Sequence, residues 1–103
     1  MNERIIESER LKVKLLNGSV ITIRPLTLSE RKECISLLPK NLNEKSEQFV
    51  EDYMQLQIEM THYIISRENK DFKKSDVAKL LDSSLIEQIV KFTLKDPFAN
   101  WIV

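Results

Sequence analysis

The segment VKLLNGSVITIRPLT, residues 13–27, contains the single glycine of the chain and constrains the fold more than any other stretch. An Asn-Gly pair between two runs of alternating apolar residues predicts a β-hairpin. A two-residue loop would place the apolar side chains of the two strands on opposite faces. A three-residue loop, residues 16–18, pairs Val13 with Ile21 and gathers most of them on one face. Because the buried face fixes the register, we predict the three-residue loop, with Gly18 in the left-handed conformation.

The hairpin, predicted over residues 11–24, is too small to be stable by itself in water. Its apolar face must therefore pack on helices, or one of its edges must pair with another chain. The segment after it begins a helix, since Thr27 and Glu30 have the spacing of a capping box and Pro39 provides a stop. A second capping box, at Ser84, is expected to begin the last helix.

Apolar periodicity places four helices after the hairpin, at about residues 28–38, 44–68, 76–82 and 84–95. The sequence therefore predicts a mainly α, α+β fold with about four helices. It forms one domain over residues 1–103, with a helical body over 28–95 and an apolar C-terminal tail over 96–103. Since chain termini usually fray unless they are tied down, the apolar tail is expected to dock, in cis or in trans.

The predicted helix over residues 44–68 carries more apolar surface than one core requires. Two adjoining stripes recur every three or four positions; they are Phe49, Tyr53, Leu56, Met60 and Ile64, and Val50, Met54, Ile58 and Ile65. Together they cover well over half of the circumference, whereas facing one core takes about 100°. At ~1.5 Å per residue the helix would be about 36 Å long. It is therefore either the central helix of the core or an element that protrudes into a partner.

Sixteen basic residues balance sixteen acidic ones, so the chain has no net charge to attract nucleic acid or an anionic membrane. The first residues contain no apolar core of a signal peptide, and no apolar run approaches the ~20 residues that span a bilayer. Cys34 is the only cysteine, which excludes an intrachain disulfide and suits a reducing compartment. We therefore expect a cytoplasmic protein with neither a nucleic-acid nor a membrane partner.

No residue pattern in the chain predicts a catalytic, cofactor-binding or metal site. His62 is the only histidine, and together with Cys34 it falls short of the three or four ligands of a zinc site. Cys34 lies among apolar helix positions and is expected to be a small core residue rather than a nucleophile. A single glycine leaves no room for a phosphate-binding loop. The chain is therefore predicted not to be an enzyme.

The order of the segments resembles one protein family. LNGSVITIRPLT is followed at once by LSERKECISLL, then by a long middle helix and by KKSDVAKLLDSSLIEQIVKFTL. This order resembles the small tail assembly chaperones of long-tailed bacteriophages and prophages. The I-R-P-L-T exit of the hairpin, residues 23–27, and the D-V…L-D…L-I-E-x-I pattern, residues 76–89, carry the likeness, which covers roughly residues 11–95.

The resemblance implies a function. Such a protein binds the tape-measure protein and helps to recruit tail tube subunits in the host cytoplasm before assembly, does not remain in the mature virion, and has no catalytic residues. Two alternatives stay open. One is a structural tail completion or head–tail connector protein. The other is a small antitoxin- or repressor-type regulator, for which residues 76–95 have the outline of a helix-turn-helix, although their large apolar residues are more typical of a core.

The excess of apolar surface predicts a binding role for particular residues. Large exposed apolar patches are rare on monomers and usually mark an interface, so we expect the chain to form a homo-oligomer, in the simplest case a dimer. The same surface is expected to accept a helix of the tape-measure protein. The candidate partner-binding residues are Leu56, Met60, Tyr63, Phe98, Trp101 and Ile102.

Overall fold

A two-stranded antiparallel hairpin precedes four helices, which confirms the mainly α, α+β fold. The structure, a computed structural model, describes residues 9–37 and 47–93. Its elements are β1 (Leu11–Lys14), β2 (Val20–Ile23), α1 (Leu28–Ser36), α2 (Phe49–Ser66), α3 (Lys74–Leu80) and α4 (Ser83–Thr93). The apolar tail predicted over residues 96–103 lies outside the described residues.

The register of the hairpin is the predicted one. Val13 pairs with Ile21, and Leu11 pairs with Ile23. The loop is closed by the Leu15 amide, which donates to the Ser19 carbonyl at 2.7 Å. Gly18 has a φ of +89°, a conformation that a side chain disfavours. The three-residue loop is thus confirmed, and the paired strands occupy residues 11–14 and 20–23 of the hairpin predicted over 11–24.

Helix α1 begins at the predicted capping box. The Glu30 amide donates to Thr27 Oγ1 at 3.1 Å, and the Thr27 amide donates back to Glu30 Oε1 at 3.0 Å. The helix ends at Ser36, and Leu37 is in a turn, so α1 is shorter than the predicted 28–38.

Helix α2 begins later than predicted. Residues 47 and 48 form a turn and the helix starts at Phe49, whereas the sequence analysis placed its start at residue 44. The apolar periodicity itself begins at Phe49, and no side chain caps the helix at Gln48. With 18 residues, α2 is about 27 Å long at ~1.5 Å per residue, and not the 36 Å expected.

Two helix starts in the second half of the chain also differ from prediction. Helix α3 begins at Lys74, two residues before the predicted start at about residue 76, and the Lys73 amide donates to Asp76 Oδ2 at 3.0 Å. Helix α4 is capped by Asp82, whose Oδ1 accepts from the Leu85 amide at 2.8 Å. The capping box predicted at Ser84 is therefore wrong.

The core forms where the hairpin, α3 and α4 pack on the second half of α2. Fully buried side chains come from each of these elements; they are Ile23, Thr61, Ile64, Ile65, Val77 and Ile89. Two hydrogen bonds fix the hairpin in place. The Leu16 amide donates to the Leu80 carbonyl at 2.9 Å, and Asn69 Nδ2 donates to the Thr22 carbonyl at 2.9 Å. Helix α1 also packs against α2 and adds the buried Cys34 to the core.

Candidate partner-binding site

The first two turns of α2 present apolar side chains to solvent. Val50 is 63% exposed, Tyr53 46% and Met54 56%. The Phe49 ring stacks on the Tyr53 ring with centroids 6.0 Å apart, so the two aromatic side chains order each other. This surface, which we call the overhang, comprises Phe49, Val50, Tyr53 and Met54. It is the apolar stripe of α2 continued beyond the part that the core covers.

A groove of about 470 Å³ runs between α2 and α4 and joins the overhang at Tyr53. Its apolar lining comes from both helices; it comprises Tyr53, Leu56 and Met60 of α2 and Ile86 and Val90 of α4. These positions recur every three or four residues on each helix, which places them on the facing sides of the pair. The groove therefore offers an apolar floor formed by both helices.

The rim of the groove is polar and charged. Gln57 and Ser83 lie at its edges together with Glu87 and Lys91. Lys91 Nζ contacts Glu87 Oε1 at 2.8 Å, and this hydrogen bond lowers the pKa of Glu87 below its ordinary range. An apolar floor with a polar rim is the usual anatomy of a surface that buries an amphipathic segment.

Of the six residues predicted to bind a partner, two line this groove. Leu56 and Met60 are 7% and 8% exposed and form part of its floor. Tyr63 lies only three residues after Met60 on α2 but lines a different depression, beside Glu59, His62 and Arg67. Phe98, Trp101 and Ile102 lie outside the described residues.

The surroundings of Tyr63 indicate a structural role. Its hydroxyl donates to Glu33 Oε2 at 2.7 Å, which ties α2 to α1. The Arg67 guanidinium lies 4.3 Å from the centroid of its ring, within the range of a cation–π contact. Burial and the hydrogen bond to Glu33 raise the pKa of Tyr63 to about 12. This side chain joins two helices and is not part of the groove.

Sequence reasoning missed the α4 half of the groove. Ile86 and Val90 are among the large apolar residues of 76–95 that are more typical of a core, and Tyr53 was predicted to lie in an apolar stripe but not to bind a partner. The four-residue spacing of Ile86 and Val90 was a usable signal, because it matches that of Leu56 and Met60. Which faces of two helices meet, however, is decided by tertiary packing.

The two residues weighed for chemistry have local structural contacts. Cys34 is fully buried, as expected of a core residue, and burial raises the pKa of its thiol. A buried neutral thiol is a poor nucleophile. His62 Nε2 lies 2.9 Å from the Phe72 carbonyl, which fits a proton on that nitrogen donating to the oxygen. His62 thereby fixes the segment that precedes α3.

An ion pair joins the end of the hairpin to the first turn of α1. Arg24 Nη1 and Nη2 donate to the two carboxylate oxygens of Glu30 at 2.7 and 2.8 Å. This bidentate contact is the main reason why the pKa of Glu30 is lowered to about 2. Glu30 also serves the capping box, so one carboxylate joins the hairpin exit to the first helix.

Within residues 9–37 and 47–93, no group of three or more His, Cys, Asp or Glu side chains is arranged to hold a metal ion. The helices of this described part are also too short or too polar to cross a membrane. Comparisons with protein-family models, with curated proteins and with solved structures find no match to this chain. The groove and the overhang are therefore the features of the structure that bear on function.

Proposed function

We propose that this protein is a tail assembly chaperone of a long-tailed phage or prophage, and that it holds an amphipathic helix of the tape-measure protein in the α2–α4 groove. The groove and its continuation into the exposed overhang support this proposal most directly. The family resemblance supplies the identity of the partner. A long, helical, aggregation-prone partner needs a chaperone that covers apolar helix faces, and this surface has the chemistry to do so.

The dimensions of the groove suit a helix. On α2 its floor extends from Tyr53 to Met60, about 10 Å at ~1.5 Å per residue, which equals two helical turns. A partner helix with apolar residues at i, i+3 or i+4 and i+7 would fill such a length. Tyr53 is the expected anchor, because it is aromatic, partly exposed and already stacked on Phe49.

Recruitment of tail tube subunits, the second part of the proposed function, needs a surface of its own. The hairpin offers one at its loop and outer face. Leu16 and Val20 are 60% and 59% exposed there, beside the exposed Lys12 and Lys14. Neither apolar side chain lines the α2–α4 groove. The hairpin can therefore contact one partner while the groove holds another.

The test is co-expression with the tape-measure protein encoded in the same phage genome, with the soluble complex as readout. Tyr53→Lys places a charge in the groove, and we expect about a tenfold loss of complex, equivalent to ~1.4 kcal/mol. Ile35→Lys is the matched control, since Ile35 is an apolar side chain of α1 with 44% exposure and does not line the groove. Equal loss in both variants would contradict the proposed site.

Two further observations separate the alternatives. A chaperone is absent from purified virions, whereas a tail completion or connector protein remains in them. A regulator would bind DNA with an affinity that falls steeply as salt is raised. Soluble tape-measure protein in the absence of this protein would remove the need for a chaperone and would contradict the proposal.

A further inference from the structure

We propose that residues 98–103 of this chain occupy the α2–α4 groove in cis when no partner is bound. The groove is an apolar surface that no described element covers, although apolar surface of this kind is usually buried. The segment that follows α4 has both the composition and the position to cover the groove. The docked segment would make the groove self-occupied in the free protein.

Position favours this segment. Helix α4 ends at Thr93, and the groove includes Val90 and Lys91, which belong to its last turn. The chain therefore leaves α4 beside the groove that it would fill. Pro97 lies four residues later, and its fixed φ and missing amide proton suit a change of direction rather than a continued helix.

Length is also sufficient. Along α4 the groove extends from Ser83 to Lys91, about 12 Å at ~1.5 Å per residue. The six residues 98–103 span at most about 20 Å when extended, at ~3.3–3.6 Å per residue. A chain that turns back at Pro97 is therefore long enough to follow the whole groove.

Composition distinguishes this segment from the others that the structure does not describe. Residues 94–103 contain six hydrophobic residues in ten, including Phe98, Trp101, Ile102 and Val103. Residues 38–46 contain only two in nine, and residues 1–8 contain three in eight with no aromatic ring. Only the segment after α4 carries aromatic side chains, which bury the most area per residue.

Docking in cis would also regulate the binding of a partner. This regulatory consequence rests on the proposed function, whereas docking itself does not. A helix of the partner must displace residues 98–103 to enter the groove. The apparent affinity is then reduced by the fraction of time for which the groove is free. A groove that is free about a tenth of the time would bind about tenfold more weakly than an empty one. The segment would thus keep apolar surface covered until a helix of sufficient affinity arrives.

Trp101 is the only tryptophan of the chain, so its fluorescence in the full-length protein reports docking without any partner. We expect emission at short wavelength and weak quenching by acrylamide in the unaltered chain. Tyr53→Lys should move the emission to longer wavelength and raise the quenching constant. Ile35→Lys, which changes a side chain of similar exposure on α1, should leave both unchanged. An exposed Trp101, or one that does not respond to Tyr53→Lys, overturns the proposal.

Dilution separates docking in cis from the dimer expected from the sequence. Emission that is constant with protein concentration supports docking within one chain. Emission that moves to longer wavelength on dilution overturns it and assigns the groove to the segment of a second copy. This readout stays valid if co-expression shows no complex with the tape-measure protein, so failure of the proposed function and failure of docking are distinguishable.

If Tyr53→Lys does not fold, a variant outside the described residues still tests whether residues 98–103 dock in the groove. Trp101→Ala changes only the docking segment. We expect it to increase the binding of a fluorescent apolar dye, because it frees the groove. Co-expressed with the tape-measure protein, it should also raise the yield of complex. Dye binding that is unchanged in Trp101→Ala would overturn docking of residues 98–103.

Discussion

The two halves of α2 have the same apolar pattern and opposite environments. Three exposed residues of the first half each lie eleven positions before a fully buried residue of the second; the pairs are Val50 and Thr61, Tyr53 and Ile64, and Met54 and Ile65. Eleven residues make three turns with only ~20° of drift, so the members of each pair point to the same side of the helix. One face of one helix is thus both surface and core.

The difference comes from what covers each half. The hairpin, α3 and α4 pack on the second half, and α1 reaches it through Tyr63 and Glu33. The overhang at the start of the first half extends beyond these elements within the described part of the chain, and only its Tyr53 reaches the groove beside α4. An apolar stripe therefore predicts that something covers a helix face, but it does not say whether the cover belongs to the core, to a terminal segment or to a partner.

The largest expected effect is a difference in stability between variants of the third pair, Met54 and Ile65. Ile65→Ala removes a fully buried side chain from the core and should lower the free energy of unfolding by about 2–5 kcal/mol. Met54→Ala removes a side chain of similar size from the same face, at 56% exposure, and should change it by less than about 0.5 kcal/mol. Urea denaturation followed by circular dichroism measures both. Similar losses at the two positions would show that the first half is covered.

How much of this arrangement the sequence predicts depends on whether the deciding contacts are local. The register of the hairpin followed from the two-residue period of its side chains, and the start of α1 followed from Thr27 and Glu30, three residues apart. The start of α4 did not. Asp82 and Ser84 are both residues that commonly cap helices. Leu81 is buried in an extended conformation, so the helix begins directly after it and Asp82 becomes the cap.

The groove shows the same limit. Leu56 and Met60 were assigned to a binding surface from the stripe of α2 alone, and both line the groove. Tyr63 satisfies the same periodicity, yet a hydrogen bond to α1 gives it another neighbourhood. Ile86 and Val90 join the groove because α4 packs across α2, a long-range contact that no local pattern encodes.

The second prediction concerns α1, one of the elements that cover the second half of α2. Glu30→Gln keeps a residue suited to the capping box but removes the charge that pairs with Arg24. We expect a loss of about 1–2 kcal/mol in the free energy of unfolding at neutral pH, as for a partly buried charge-assisted pair. Urea denaturation followed by circular dichroism measures this loss.

The loss should depend on pH in a defined direction. The hydrogen bond from Arg24 lowers the pKa of Glu30 from its ordinary value of 4.5 to about 2. A carboxyl group whose pKa is lowered in the folded state stabilises the fold fully above pH 4.5, and this contribution is lost as the pH falls towards 2. The unaltered chain and Glu30→Gln should therefore converge in stability over that range. A difference that persists at pH 2 would show that the ion pair is not its source.

The smallest expected effect on stability comes from exchanging the side-chain types of the first pair, Val50 and Thr61. Within the described residues, Thr61 Oγ1 is buried without a hydrogen-bond partner, whereas Val50, its counterpart eleven positions earlier, is 63% exposed. Thr61→Val keeps the shape and removes the unpaired hydroxyl, so we expect a gain of about 1 kcal/mol in the free energy of unfolding. Val50→Thr should change stability by less than about 0.5 kcal/mol and lower the binding of an apolar dye at the overhang. Thermal and urea denaturation of both variants measure the change in stability, and dye titration measures the change in dye binding.

Two outcomes would contradict this prediction. A loss of stability in Thr61→Val would mean that the hydroxyl has a hydrogen-bond partner in solution. A loss of stability in Val50→Thr would mean that the overhang is covered.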